Sequence, residues 1–134
     1  MKWKALRMPY DIKYLDDGGV ITTYRGIVTD EDILESVKEK CSSAKKLASL
    51  RYAVTDCTDV AEFQVTPQGM IENANISKRA AVINRELLVV GVYPDDLSYG
   101  MGRLWQGYAD ITGWSSIVVR TKQEAEQWLE DNLS

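Results

Sequence analysis

The chain has 134 residues, of which 45% are hydrophobic and 27% are charged, and its formal net charge is −4. These values are typical of one globular domain that can bury a core, and the mild negative charge argues against a binder of duplex nucleic acid, which needs clustered Lys and Arg. The longest apolar run, 87–92, is too short to span a bilayer, and the first ten residues lack the apolar stretch of a signal peptide.

Histidine is absent, and the two cysteines, Cys41 and Cys57, do not form a CxxC motif. Two cysteines are too few for a disulfide framework or a metal cluster, so we expect both to be reduced, in the cytoplasm. Without histidine there is no Ser-His or Cys-His triad, no usual zinc site and no imidazole base. The sequence therefore favours a protein that is not an enzyme and has no cofactor.

The first third of the chain predicts a β-hairpin followed by a helix. Residues 10–15 alternate between apolar and polar side chains, as in a half-buried strand, and 20–28 form the returning strand. The DDGG sequence between them is typical of a hairpin turn, because glycine adopts positive φ without strain. Thr29 and Asp32 resemble a capping box, and apolar residues then recur at helical spacing as far as Ala44.

The middle third predicts a strand at 51–56, a loop at 57–65 and a long helix with Pro67 at its first position. This helix has apolar residues on two nearly opposite sides. The side that can face a sheet consists of Met70, Ile71, Ala74, Ala81 and Val82. The other side, which includes Ile76 and Ile83, requires either a kink or a partner surface. These two residues therefore predict an interface.

The last third predicts a strand, a glycine-containing helix, a strand and a final helix. Residues 87–93 form a continuous apolar run, typical of a central strand that is covered on both faces. Asp95 or Asp96 caps the next helix, 114–120 is a strand, and 121–124 form a capping box. We expect one stripe of the glycine-containing helix to face the core, flanked by Gly100 and Gly107; it consists of Leu97, Met101, Leu104, Tyr108 and Ile111.

The order of these elements predicts an α/β fold. Alternation of strands and helices favours a mostly parallel sheet, to which the N-terminal hairpin adds an antiparallel strand. We expect a single domain over 1–134, with a mixed five-stranded sheet and about four helices.

Tyr99 and Arg103 lie one turn apart on the predicted outer side of the glycine-containing helix. An aromatic ring beside a guanidinium can bind an anion or a partner protein. A solvated helix face with one amphipathic tyrosine explains the same two residues, so both interpretations stay open. Asp95 and Asp96 are interpreted as a cap and a first-turn acid rather than as a catalytic pair.

Asp56, Cys57 and Asp59 come at the end of the predicted third strand, where open α/β sheets place ligand sites. The two carboxylates could bind a divalent cation, but turn chemistry explains them more simply, and no third ligand has a suitable spacing. Cys57 is interpreted as a structural thiol, because no base lies near it in the sequence. Thr66, before Pro67, is a candidate N-cap or phosphorylation site.

The order of elements and three stretches resemble the SpoIIAA-like family, relatives of the STAS (sulfate transporter and anti-sigma-factor antagonist) domains. VTDCTDVAEFQVTPQGM at 54–70 is similar to the STAS signature of a strand ending in Asp, a short loop and a helix start. ITGWSSIVVRTKQEAEQWL at 111–129 resembles the family's closing strand and capped helix. PDDLSYGMGRLWQ at 94–106 resembles the Tyr-Gly-x-x-Arg run of the SpoIIAA-like branch. The resemblance extends over essentially the whole chain.

The resemblance implies a regulatory domain that acts without catalysis. In STAS antagonists, phosphorylation of a serine at the second helix start controls docking to a partner kinase. The family's Asp-Ser pair falls at Gln64-Val65 here, with Thr66 one place later, so the phosphoserine motif is not intact. We expect a non-enzymatic protein-interaction domain that binds a protein partner or forms a homodimer, without nucleic acid or a membrane span.

A carrier of a small apolar ligand or lipid is the second function considered, because the SpoIIAA-like fold is similar to that of CRAL-TRIO lipid-transfer domains. An apolar pocket between the helices and the sheet would support this function. However, 134 residues leave little volume for a lipid. A histidine-free enzyme is the third option.

Overall fold

The computed structural model describes residues 8–133, so most of the segment considered above for a signal peptide lies outside the described residues. The described residues form one sheet of five strands, which are β1 (Tyr10–Tyr14), β2 (Gly19–Thr29), β3 (Tyr52–Gln64), β4 (Leu88–Val92) and β5 (Ser115–Val119). The helices are α1 (Asp30–Lys40), α2 (Ala44–Ser49), α3 (Pro67–Ile83), α4 (Asp96–Ala109) and α5 (Lys122–Asn132), with a 3₁₀ helix at Asp110–Thr112 after α4.

The strands lie side by side in chain order. β1 is antiparallel to β2, and β2, β3, β4 and β5 run parallel to one another. Gly18 in the hairpin turn has φ +91°, which glycine adopts without steric cost. These features confirm the predicted mixed, mostly parallel sheet with an N-terminal antiparallel hairpin.

Side-chain caps begin four of the helices at the positions that the sequence predicts. Thr29 accepts a hydrogen bond from the Asp32 N–H, and the Asp32 carboxylate accepts one from the Thr29 N–H, which completes the capping box of α1. Thr66, Asp95 and Thr121 each accept a hydrogen bond from the backbone N–H three residues later. Local side-chain chemistry therefore fixes where α1, α3, α4 and α5 start.

The helices cover the two faces of the sheet unequally. Helices α1 to α4 lie on one face, above a core that includes Tyr24, Val28, Ile33, Met70, Ala74, Tyr93 and Trp105. Helix α5 packs on the opposite face, where Val90, Val92, Val119 and Ala125 form a smaller cluster. Because β4 is covered on both faces, its sequence is a continuous apolar run.

The predicted loop at 57–65 is wrong, because β3 continues as far as Gln64. This second half of β3 pairs with the second half of β2, beyond the end of β4. Polar residues at four of the eight positions 57–64 obscure the strand in the sequence, whereas Cys57 and Phe63 are buried in the core beneath the helices. The ladder shifts register twice, once beside Gly26 at φ +66°, as at β-bulges.

The single helix predicted from Thr29 to Ala44 is two helices. Helix α1 ends at Lys40, and Ser43 caps the short helix α2 by accepting a hydrogen bond from the Lys46 N–H at 3.2 Å. A serine that bonds the backbone locally competes with the helix it interrupts. The described residues therefore contain five α-helices, where about four were predicted.

Helix α3 is continuous, and both of its apolar sides are buried along much of their length but exposed near its C-terminus. Ile76 and Ala80 are buried, because α1 and α2 pack on that side of the helix. The prediction that Ile76 forms an interface is therefore wrong. Ile83 is 46% exposed, and Val82, which was expected to face the sheet, is 75% exposed.

Helix α4 is rotated about its axis relative to the prediction. Its buried residues are Ser98, Gly102, Trp105 and Ala109, whereas the predicted stripe is partly buried at Met101 and Leu104 and exposed at Leu97, Tyr108 and Ile111. Gly102 allows the close approach: a Cβ there would lie 2.6 Å from the Tyr93 ring and 3.1 Å from Val118. At Gly100 and Gly107 an added Cβ would meet no atom within 4 Å, so these glycines do not flank the core.

Candidate functional site

Thr66, at the start of α3, is hydrogen-bonded to Asp30, at the start of α1. The Thr66 hydroxyl donates to Asp30 Oδ2 at 2.6 Å, and the Thr66 N–H donates to Asp30 Oδ1 at 2.7 Å. Because β2 and β3 are parallel neighbours, the helices that follow them begin at the same edge of the sheet. The Asp30 carboxylate therefore lies at the N-terminus of α3, where the helix dipole favours negative charge.

Gly69 provides the space for this carboxylate. A Cβ at position 69 would collide with the Asp30 side chain, and the Gly69 N–H donates to Thr66 Oγ1 at 3.2 Å. Thr66 is therefore an N-cap whose hydroxyl both donates and accepts. The acidic neighbour that the sequence does not have at Gln64-Val65 is supplied by a different helix.

Asp56 and Asp59 have different environments and no common partner. Asp56 is buried, and its Oδ1 accepts hydrogen bonds from the N–H and the hydroxyl of Thr58 at 2.9 and 2.7 Å. Its Oδ2 lies 3.4 Å from Lys122 Nζ. Asp59 is exposed and lies in register with Arg25. Within residues 8–133, no three His, Cys, Asp or Glu side chains are grouped so that they could hold a metal ion.

The guanidinium that stacks on Tyr99 is that of Arg120, directly after β5. Its Cζ lies 4.3 Å from the ring centroid, and its Nη1 lies 2.9 Å from Asp96 Oδ1 and 3.2 Å from the Pro94 carbonyl oxygen. The partner expected for this ring was Arg103. Arg103 is instead exposed and makes no ion pair with any residue in the described range, so its role in partner binding stays a prediction.

Exposed apolar side chains lie on the flank of helix α4 away from β5 and in the 3₁₀ helix after it. Gln106 donates to the Ser116 carbonyl oxygen of β5 at 3.0 Å, so Leu97 and Tyr108, on the opposite side of α4, point away from β5, and Ile111 follows in the 3₁₀ helix. These three side chains are 57%, 44% and 79% exposed.

Val82 extends this apolar region onto α3. Its position on the helix is nearly opposite Ala80, which packs towards α2, so Val82 points away from α2 and is 75% exposed. Exposed apolar side chains therefore occur on α3 and on α4 with the 3₁₀ helix that follows it. We call Val82, Leu97, Tyr108 and Ile111 the α3–α4 apolar surface.

A cavity of about 80 Å³ lies between the sheet and the helices α1 to α4. Most of its wall is aliphatic, but Lys40, Asn73, Ser77 and Trp105 also line it. Trp105 Nε1 is buried and has no hydrogen-bond partner among the described residues. Lys40 is half-buried and makes no ion pair within the same part of the chain. Lys40 thus lines the cavity without an ion-pair partner among the described residues, whereas Trp105 Nε1 is enclosed by its neighbours.

Burial sets the protonation of the titratable groups around this cavity. Removal from water lowers the pKa of Lys40 to about 8, against opposing effects of the Cys41 and Cys57 thiols. Burial also raises the pKa of Cys57 far above its usual value, and that of Tyr93 well above 10.0. Cys57 is therefore a protonated, 2% exposed thiol, which agrees with its interpretation as a structural residue.

The residues that sequence reasoning missed are those whose partners are distant in the chain. Asp30 is recognisable as a first-turn acid, but its bond to Thr66 joins residues 36 apart. Lys40 cannot be distinguished in the sequence from the exposed Lys38 of the same helix turn. Arg120 follows a strand, and nothing local relates it to Tyr99. Their roles depend on which elements the sheet brings together.

No helix in the described part of the chain is long and apolar enough to cross a membrane. No protein-family model matches the chain, and no curated protein matches it. Among solved structures, the unphosphorylated anti-sigma factor antagonist SpoIIAA is similar, with a TM-score of 0.57 and 12% identity over 90% of this chain and 97% of SpoIIAA.

The phosphorylated form of SpoIIAA, described as a Bacillus cell fate determinant, is also similar. Its TM-score is 0.56 and its identity 8%, over 90% of this chain and 98% of that chain. Identities this low establish similarity of fold. They confirm the fold that the sequence resemblance implies: the chain has the fold of SpoIIAA.

Proposed function

We propose that this chain is a non-enzymatic regulatory domain that acts by binding a partner protein. The observation that supports it most directly is the α3–α4 apolar surface, because several large apolar side chains are exposed there and exposed apolar surface can serve as an interaction site. The fold supports it as well. SpoIIAA is described as an anti-sigma factor antagonist, which is a protein that counteracts another protein.

The proposed partner contributes apolar side chains that pack between α3 and α4, at the position of Tyr108 and Ile111. Arg103 lies on the outward face of α4 beside this surface and is exposed. Arginine is enriched at protein interfaces, so we assign Arg103 to the polar rim. The Asp30–Thr66 pair has a structural role in this proposal: it fixes the start of α3 relative to α1.

The test is quantitative capture of proteins from the source cells by the wild-type chain and by the variant Ile111→Glu. We expect at least one protein to be retained by the wild type and reduced tenfold or more by the variant, because a carboxylate at an apolar contact is costly to desolvate.

The control is Ile27→Glu, which changes another exposed apolar residue, 55% exposed on β2 and outside the α3–α4 apolar surface. This variant should retain the same protein as the wild type. Thermal unfolding checks that both variants fold. Equal capture by all three proteins, or a loss with Ile27→Glu as large as with Ile111→Glu, would contradict the proposal.

The cavity does not favour the alternative function of a lipid carrier. At about 80 Å³ it is much smaller than ligand pockets, which measure roughly 300–1,000 Å³. An acyl chain would require the helices to separate from the sheet. Native mass spectrometry of the purified chain distinguishes the two functions, since a co-purified lipid would add its mass.

A further inference from the structure

We propose that the outer edge of β1 binds a second copy of this chain, whose own β1 pairs antiparallel to it about a twofold axis at Ile12. β1 is the first strand of the sheet, and within residues 8–133 no strand pairs with its other edge. This contact is separate from the α3–α4 apolar surface, and it goes beyond the function proposed above.

The backbone of β1 presents unpaired hydrogen-bonding groups along this edge. Directly after β1, the Leu15 N–H donates to the Gly19 carbonyl oxygen at 2.8 Å. Because hydrogen-bonded pairs alternate in an antiparallel ladder, the odd-numbered residues of β1 bond to β2 and the even-numbered ones do not. The outward N–H and C=O groups are therefore those of Tyr10, Ile12 and Tyr14. An edge of this kind can bind another extended strand.

The side chains of β1 are complementary to those of a second, antiparallel copy. The strand reads Tyr-Asp-Ile-Lys-Tyr, so pairing about Ile12 places Asp11 of each copy opposite Lys13 of the other. Both side chains are exposed, and alternation places them on the same face of β1. Opposite charges that face each other across two strands stabilise the pairing.

The charges available at this edge fit that arrangement. Lys13 makes no ion pair with any residue in the range 8–133. Asp11 lies 3.2 Å from Arg25, but both side chains of this ion pair are about half exposed. A pair so exposed to water contributes little, so it does not prevent Asp11 from also facing a lysine.

Hydrogen bonding and charge together select one register. Outward residues must face outward residues for the strands to bond, so the register can change only in steps of two residues. One such step places Asp11 opposite Asp11 of the second copy, and the opposite step places Lys13 opposite Lys13. Like charges directly opposite each other are destabilising. A lysine on an edge strand commonly blocks pairing, but here it blocks only the wrong registers.

A groove of about 420 Å³ leaves room beside β1 for the second strand. Besides β1, its wall consists of residues from the end of α1 to the start of α2, which are Glu39, Ser42, Ser43 and Lys46. Tyr14 is 40% exposed in this groove, and Lys46 Nζ lies 4.8 Å from its ring centroid. The proposed register places Tyr10 of the second copy opposite Tyr14, so the exposed ring gains an aromatic neighbour.

The test is a charge exchange between two variants. Asp11→Lys gives β1 two lysines and Lys13→Asp gives it two aspartates, so neither variant forms the matched pairs with itself, whereas a mixed dimer does. Native mass spectrometry of an equimolar mixture, with one variant ¹⁵N-labelled, measures the three dimers. We expect mixed dimers to outnumber the two homodimers together by about fivefold or more. Association through any other surface gives equal numbers.

The control is a mixture of Lys38→Asp and Asp59→Lys, which change exposed residues outside β1 by the same charges and should give equal numbers. Ile12→Pro, added to one β1 variant, removes an outward N–H and no bond to β2, so it should abolish the excess of mixed dimers. Circular dichroism checks the fold of each variant. Absence of dimers, equal numbers with the β1 variants, or an excess that survives Ile12→Pro would overturn the proposal and leave the edge for a strand of another protein.

Discussion

Asp30 shows how much a single residue contributes when its partner comes from another element. Within α1 it is an ordinary first-turn acid. Through its bonds to the Thr66 hydroxyl and N–H it also satisfies the start of α3, which has no acidic residue in its own first turn. Gly69 is required at its position because the carboxylate occupies the space of a side chain.

We expect the Lys40 side chain to lower the free energy of unfolding at neutral pH, because burial disfavours its charged form and lowers its pKa to about 8. Lys40→Met should therefore be more stable than the wild type at pH 7, and this advantage should shrink as the pH rises from about 8 to the unfolded-state value of 10.5. The sign follows because, in this range, the unfolded wild type binds more protons than the folded wild type, so its stability rises with pH.

Urea unfolding of both proteins in chloride buffers between pH 7 and pH 10 measures this difference. The other titratable groups near Lys40 are Cys41, Cys57, Tyr24 and Tyr93, and both proteins have them, so their contributions largely cancel in the comparison. A stability difference that does not change with pH would contradict the prediction.

Helix α4 shows why the helical spacing of apolar residues did not determine which side is buried. Two stripes were available: a larger apolar one that begins at Leu97, and a mixed one with small residues. The small-residue stripe is buried because Gly102 lets the helix backbone approach Tyr93 and Val118, while Trp105 fills the core beside it. Close packing against the sheet was more favourable than burial of the more apolar stripe.

Two glycine substitutions in α4 test this orientation. Gly102→Ala should destabilise the fold by about 1–3 kcal/mol, because its Cβ would lie 2.6 Å from the Tyr93 ring. Gly107→Ala, in open space, should stabilise it by up to about 1 kcal/mol through helix propensity. Chemical denaturation measures both values. The opposite order of the two variants would mean that α4 is rotated differently.

The described part of the chain places four helices on one face of the sheet and α5 on the other, and it leaves the α3–α4 apolar surface exposed. The expected self-association was based on Ile76 and Ile83, but Ile76 is buried by α1 and α2. We propose the α3–α4 apolar surface instead as a contact for a second copy, in addition to the β1 edge. Its four side chains are far fewer than the roughly 20–30 residues per partner of a stable interface, so the association should be weak.

Sedimentation velocity of the Asp11→Lys chain, in which β1 does not pair with itself, should therefore show a dimer fraction that rises with protein concentration. Adding Ile111→Glu should reduce this fraction strongly, and adding Ile27→Glu should not. A dimer that Ile111→Glu leaves intact, or an Asp11→Lys chain that is monomeric at every concentration, would exclude this surface as a self-contact.

Much of the fold was predictable from the sequence because its signals are local. Thr29, Thr66, Asp95 and Thr121 begin their helices by bonding to backbone groups three residues away, and the hairpin turn needs only its own glycine. The alternation of helices and strands then restricts the sheet to a mostly parallel arrangement.

Only the tertiary structure decided which apolar side chains remain exposed and which hydrogen-bond donors have no acceptor. The strand at 57–64 forms because β2 lies beside it, and α4 leaves Leu97 and Tyr108 exposed because Gly102 fits against Tyr93. The cavity that Lys40 lines exists only where helices α1 to α4 and the sheet meet. Such contacts join residues far apart in the chain, so no local sequence pattern specifies them. Helix caps and turns depend only on residues a few positions away, so they can be predicted from the sequence.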